Sequence, residues 1–263
     1  MTTAKNRSVR LSDEAIAELL ALAKGADSIE LKASVCDSQV GHIVNALELD
    51  ALDAQVRQVF FFDTPDLRLN EAGVVARARR IQGKGGDTVV KLRPVVPDQL
   101  PESLRMSPAF GIEVDAMPGG FVCSASMKGK GGINDAREVA LGQRPIKKLF
   151  TKEQRAFFTE HAPEGLGLDD LSVLGPIFVL KLKSVPPGYE RPLVGEMWFY
   201  PDNTRILELS TKCLPSETFQ VAAETIAYLS GKGVDVSGEQ QTKTKTALEY
   251  FAQQEAARRI AST

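Results

Sequence analysis

Polar and apolar positions alternate along much of the chain, and that period of two predicts a series of short strands. The first is Ser28–Val35, with Ser28, Glu30, Lys32 and Ser34 on one face and apolar residues on the other. Val56–Phe62 reads as an apolar strand, with Val59–Phe62 its continuous apolar run, and Asp63-Thr-Pro-Asp then turns the chain. In Val75–Arg80, Arg77 and Arg79 share a face, and in Val89–Arg93 so do Lys91 and Arg93. Gly83, Gly85 and Gly86 between them predict a hairpin connection. Such a hairpin would gather four or five positive charges within roughly 10 Å, and like charges placed opposite each other destabilise a sheet. An anion between them would remove that penalty. Further strands are expected at Phe110–Met117, with Glu113 and Asp115 in phase, at Phe121–Met127, and at Ser172–Ser184, where Val179, Lys181 and Lys183 are in phase. Pro192–Tyr200, carrying Glu196, and Arg205–Thr211 form a hairpin around Pro201-Asp-Asn, and Glu208, Ser210 and Lys212 share one face. Lys128-Gly-Lys-Gly-Gly reads as a loop.

A period near 3.6 marks the helices. Ser12 or Asp13 caps one over Glu14–Lys24, with Ile16, Leu19, Leu20 and Ala23 as its stripe and Gly25 as its stop. Asp37 or Ser38 caps a second, which carries Val40, Ile43, Val44 and Leu47. Thr151 caps a third that runs to about Glu160, and two more occupy about Ser216–Ser230 and Glu239–Ile260. With eight or nine strands in mostly antiparallel order, the expected class is α+β. The expected architecture is an eight-stranded antiparallel β-barrel, closed or nearly so, with flanking helices. A barrel of that size just holds one small ligand. A single domain over residues 1–263 is expected, with its barrel core at about 28–212 and its C-terminal helices at about 216–260.

Composition narrows the function. The 263 residues carry a net charge of only −2, so the basic cluster is local, which argues against bulk nucleic-acid binding. No segment approaches the ~18 apolar residues of a membrane span, and the first residues lack the apolar core of a signal peptide. Cys36, Cys123 and Cys213 lack metal-type spacing and read as buried thiols of a cytoplasmic protein. His42, His161, Ser124 and Ser126 have no catalytic context, and Trp198 reads as packing.

Strand parity could then place Lys32, Arg77, Arg79, Lys91, Arg93, Lys181, Lys183 and Lys212 on one inner surface with Glu30, Glu113, Asp115, Glu196 and Glu208. Cations that grip phosphate and carboxylates that hold a hard ion such as Mg²⁺ or Mn²⁺ are the needs of phosphoryl transfer. Arginines offer bidentate contacts and lysines add point charge.

These residues fall in stretches that resemble the CYTH superfamily, the triphosphate tunnel metalloenzymes. The stretches are Ile29-Glu-Leu-Lys32, Phe61-Phe-Asp-Thr-Pro65, Val75-Ala-Arg-Ala-Arg-Arg80, Val89-Val-Lys-Leu-Arg93, Ile112-Glu-Val-Asp115, Phe150-Thr-Lys-Glu-Gln-Arg155 and Ile206-Leu-Glu-Leu-Ser210. The resemblance implies that Glu30, Glu113, Glu196 and Glu208 face metal ions, with Glu30, Glu113 and Glu208 the catalytic carboxylates. It implies that Lys32, Arg77, Arg79, Lys91 and Lys181 or Lys183 hold a triphosphate: tripolyphosphate, thiamine triphosphate or ATP. Two positions depart from the pattern. Ser28 and Ser210 stand where the family carries glutamate, so each removes a possible metal ligand. The resemblance leaves three activities open: a triphosphate hydrolase, a class IV-type adenylyl cyclase, and a binder without turnover.

Overall fold

In the computed structural model, which describes residues 13–235 and 243–261, nine strands close into one barrel. They are β1 (Ser28–Val35), β2 (Gln55–Asp63), β3 (Val74–Ile81), β4 (Gly86–Leu92), β5 (Phe110–Met117), β6 (Gly120–Gly131), β7 (Ser172–Ser184), β8 (Leu193–Phe199) and β9 (Arg205–Cys213). The order around the barrel is β1-β5-β6-β4-β3-β2-β7-β8-β9, and β9 returns to β1. The barrel is closed as expected, but it has nine strands instead of eight. One pair, β1 with β5, is parallel. The helices are α1 (Asp13–Lys24), α2 (Asp37–Ala46), α3 (Arg68–Glu71), α4 (Glu102–Arg105), α5 (Asp135–Ala140), α6 (Lys152–His161), α7 (Thr218–Gly231) and α8 (Lys243–Ala261). Ser12, one of the two expected caps of α1, and Glu239, the expected start of the last helix, lie outside the described residues.

The apolar positions of most strands face outward, the reverse of a simple sheet with its wet side out, because helices cover the barrel. Ile29, Ala76, Ala78, Val90, Ile112, Val114, Ala125 and Met127 join Phe150, Phe157 and Phe158 of the α6 region in one buried cluster. Leu207 and Leu209 of β9 meet Val40 and Ile43 of α2 and Leu229 of α7 in another. With the outer faces committed to these helices, the polar positions of the same strands turn into the bore.

Local chemistry explains several elements. Thr151 accepts a hydrogen bond from the Gln154 amide, and Gln154 accepts one from the Thr151 amide, a reciprocal cap on α6. The fully buried Gln154 also accepts from the Thr88 hydroxyl and donates to the Met127 carbonyl, which ties α6 to β4 and β6. β6 runs on to Gly131, so Lys128-Gly-Lys is strand and not the expected loop. Gly129 is needed there because a Cβ would lie 2.5 Å from Gln154 Oε1. Asp63 is buried and accepts from the amides of Thr64, Leu69 and Asn70, so Phe61-Phe-Asp-Thr-Pro65 is a turn-forming motif. At α2 the N-cap is Cys36, with no side-chain cap from Asp37 or Ser38. Cys123 and Cys213 are buried as expected, whereas Cys36 is exposed. No helix among the described residues is long and apolar enough to cross a membrane.

Candidate functional site: a charged bore

Inside the barrel lies a cavity of about 350 Å³. β1 contributes Glu30 and Lys32, β3 Arg77 and Arg79, β5 Glu113 and Asp115, β7 Lys181, β8 Glu196, and β9 Glu208 and Lys212. Lys91 projects from β4, and Arg93 follows just past its end. Every residue expected at the site lines this cavity except Lys183, which is exposed and stands outside it, one inward position closer to the strand end than Lys181.

Three lining groups escape the sequence reading: Asp27, Lys128 and Lys243. Lys128 had been placed in a loop. Lys243 comes from α8, remote in sequence from the barrel, and strand parity cannot find a helical residue. Nine cationic and six acidic side chains line the cavity, an excess of three positive charges. No aromatic ring is among them. Trp198 is buried and packs beneath the Lys243 ammonium, 5.1 Å from its ring centre, in keeping with a packing role.

The charges form three groups. In the first, Asp115 sits 2.8 Å from Lys32, 3.0 Å from Arg93 and 3.9 Å from Lys91. Lys32 also approaches Glu30 at 3.2 Å, and Lys212 donates to Glu113. Burial alone would lower the Lys32 pKa, but Glu208, Asp115 and Glu30 together raise it above its ordinary value. Burial likewise opposes ionisation of Glu30, and Lys32, a hydrogen bond with Glu113 and the nearby Lys212 and Lys243 outweigh it, so its pKa falls. For Lys91, burial wins over the attraction of Asp115, and with repulsion from Lys32 it brings the ammonium down to about 8.

The second group is arginine-rich. The β3–β4 register sets Arg79 opposite Asp87 and Arg77 opposite Val89, so the two basic pairs of the hairpin are offset and not abreast. Arg79 donates to both Asp87 oxygens, at 2.8 and 2.7 Å. Arg77 has no such partner: its Nε is buried without a hydrogen bond among the described residues. Burial and then repulsion from Arg79 push its pKa down to about 10. A guanidinium whose Nε is buried and unpaired is costly, and an anion in the cavity is the partner that would satisfy it.

In the third group Lys243 donates to both Glu196 and Glu208, and Lys181 donates to Glu196 at 2.9 Å. Lys243 and Lys181 hold the Glu196 pKa well below its ordinary value against the effect of burial.

Ligand oxygens of Glu30, Glu113 and Asp115 lie within 4.8 Å of one another. Mg²⁺ needs only one or two carboxylates and keeps several waters, so this trio fits a hard divalent ion. Both acidic sets are met by cations: the trio by Lys32, Arg93 and Lys212 of the barrel strands and their ends, and Glu196 and Glu208 by Lys181 and Lys243.

No family model matches the chain, and no curated protein does. Solved structures do. The proposed adenylyl cyclase of Hippeastrum, described as having a dominant triphosphatase activity, superposes with a TM-score of 0.61 at 15% identity, over 84% of this chain and 94% of that one. A proposed adenylate cyclase of Bacillus halodurans gives 0.56 at 12% identity, over 83% and 96%. At such identities the likeness is one of fold, and the fold is the tunnel barrel that the sequence motifs suggest.

Proposed function

We propose that the chain is a divalent-metal-dependent hydrolase of short polyphosphate chains, with tripolyphosphate the simplest substrate of the class. The carrying observation is the lining of the cavity: an excess of three positive charges and no aromatic ring. A fully ionised tripolyphosphate with one divalent ion has a charge of about −3, which that excess balances. A nucleotide would bring a base, and the lining offers no aromatic ring on which it could stack. This favours hydrolysis over cyclisation of ATP. The Hippeastrum protein's described triphosphatase activity agrees with that preference.

In this reading Arg77, whose Nε is buried and unpartnered, and its neighbour Arg79 grip phosphate oxygens, and Lys91, Arg93 and Lys181 add charge. Glu30, Glu113 and Asp115 would hold the divalent ion, which when bound neutralises phosphate charge. The side chains themselves bind, orient and exclude bulk water. In this reading Glu30, Glu113 and Glu208 would orient an attacking water. Water oxygen bonds to the terminal phosphorus as the bridging P–O bond breaks, giving orthophosphate and pyrophosphate. Little covalent help is needed, because positioning and charge stabilisation dominate this chemistry.

The test is a set of incubations with tripolyphosphate, thiamine triphosphate and ATP, each with Mg²⁺, Mn²⁺ or chelator. Metal-dependent orthophosphate release from tripolyphosphate is expected. Cyclic AMP with pyrophosphate would instead establish the cyclase. Tight binding without turnover of any substrate would leave a binding module.

A further inference from the structure

The carboxylates of the bore fall into two sets, and they differ in what already neutralises them. Lys32 of β1 reaches Glu30 on its own strand and Asp115 on β5, Arg93 also reaches Asp115, and Lys212 of β9 reaches Glu113, so this set is met by cations of the barrel strands and their ends. Glu196 and Glu208, opposite each other in the β8–β9 register, instead share an ammonium delivered from outside the barrel. That ammonium is Lys243, at the first described turn of α8.

The placement of Lys243 is built into the packing. Its carbonyl accepts a hydrogen bond from the Tyr200 hydroxyl at 3.0 Å. One turn on, Ala247, Leu248 and Phe251 are buried in a cluster with Phe61, Leu174, Trp198 and Ile206, residues on the inner face of the barrel. The Lys243 side chain crosses the Trp198 ring and ends between the two carboxylates, all three groups being largely shielded from water. The chain thus carries a cation on its own helix, anchored by apolar burial and two hydrogen-bonded acceptors.

We propose that Lys243 is the resident cation of the Glu196/Glu208 pair, and that it sets the tunnel's metal requirement at one divalent ion, held at Glu30/Glu113/Asp115. This rests on the reading of the bore as a metal-dependent polyphosphate site and specifies its ion content. Chemistry and charge both support it. Adding a second Mg²⁺ or Mn²⁺ between Glu196 and Glu208 would set it against Lys243 and Lys181 at close range, which is repulsive in a low-dielectric site. The cavity's excess of three positive charges matches tripolyphosphate with one divalent ion, whereas with a second ion the ligand carries only about −1. Ser210, next inward of Glu208 on β9, offers no carboxylate to outbid the lysine.

The experiment counts Mn²⁺ bound per full-length chain, from the electron paramagnetic resonance signal of free Mn²⁺ at fixed ionic strength without phosphate. Lys243→Gln is expected to bind one more Mn²⁺ than the wild type, Lys243→Arg to keep the wild-type count, and Lys243→Gln combined with Glu208→Gln to lose the extra ion. Equal counts in wild type and Lys243→Gln overturn the proposal, as does an extra ion that survives the Glu208→Gln change. A second measurement covers the case in which Lys243→Gln does not fold. In the wild type, the acylation rate of Lys243, read by mass spectrometry, is expected to be unchanged by saturating Mn²⁺. A several-fold rise on adding Mn²⁺ would show displacement of the ammonium and sink the idea. Neither readout uses turnover, so absence of hydrolysis would overturn the proposed function without touching this result.

Discussion

Two parts of the barrel interior are built by the same strands and do opposite things. Toward the end where β2 finishes and β7 begins, the inward positions are Val59, Phe61, Leu174, Ile177 and Trp198, and α8 buries Ala247, Leu248 and Phe251 against them. The rest of the bore is lined by charge, with Arg77 unpaired and repelled by Arg79. The apolar part is filled and stabilises the fold. The charged part keeps an open cavity and retains repulsion that only a bound anion removes. The comparison teaches that, within the bore, apolar packing gathers around α8 and the chemistry around the open cavity, with Lys243 at the junction.

The largest expected effect lies in the apolar part. Phe61→Ala, at a fully buried ring stacked near Trp198, should cost about 3–5 kcal/mol of stability, read from denaturant unfolding. A loss under ~1 kcal/mol would mean that α8 does not rest on these residues. Next comes Arg77→Ala. It should weaken tripolyphosphate binding by about 2–3 kcal/mol, or roughly 30- to 150-fold by calorimetry, because a charge-assisted contact to the anion is lost. Apo stability should hold or rise, since the guanidinium has no partner to lose. Equal losses in stability and binding would erase the contrast between the two parts.

The third prediction concerns pH. The Lys91 pKa, depressed to about 8 in the fold, means that its charge is disfavoured there relative to the unfolded chain. Between about 8 and its ordinary value of 10.5 the unfolded chain binds the extra proton, so this group's contribution to stability improves as pH rises through that window. A bound polyphosphate reverses the preference. Binding should therefore take up a proton above about pH 8 and weaken as pH rises. Calorimetry in two buffers of different ionisation enthalpy reads the proton, and Lys91→Met should abolish it. The smallest effect is expected from Asp87→Asn, which frees Arg79: about 1 kcal/mol less apo stability and a several-fold gain in tripolyphosphate affinity.

Much of the charged part was legible because strand parity is a local property. Glu30 with Lys32, Glu113 with Asp115 and Arg77 with Arg79 each declare a face within a few residues, and all of them line the cavity. The apolar part was half legible. Val59–Phe62 reads as apolar on both faces, and the reason is that α8 covers the inner one. What failed was non-local. Parity placed Lys183 inside, but it cannot tell where the bore ends. Asp87 is in phase with Val89 and Lys91, yet its pairing with Arg79 depends on a hairpin register that the glycine-rich turn leaves open. Lys243 had no signal at all, since only the seating of α8 brings it to Glu196 and Glu208. Glycine misled at Lys128-Gly-Lys, where the small residue serves close approach by Gln154 and not a loop.

The central claim, that the charged bore holds a polyphosphate, is tested most directly by a crystal grown with tripolyphosphate and Mn²⁺. The account predicts phosphate density in the cavity within contact of Arg77, Arg79 and Lys91, and a Mn²⁺ anomalous peak beside Glu30 and Glu113. Tripolyphosphate bound only on the outer surface, with Arg77 still unpartnered in the bore, would contradict it.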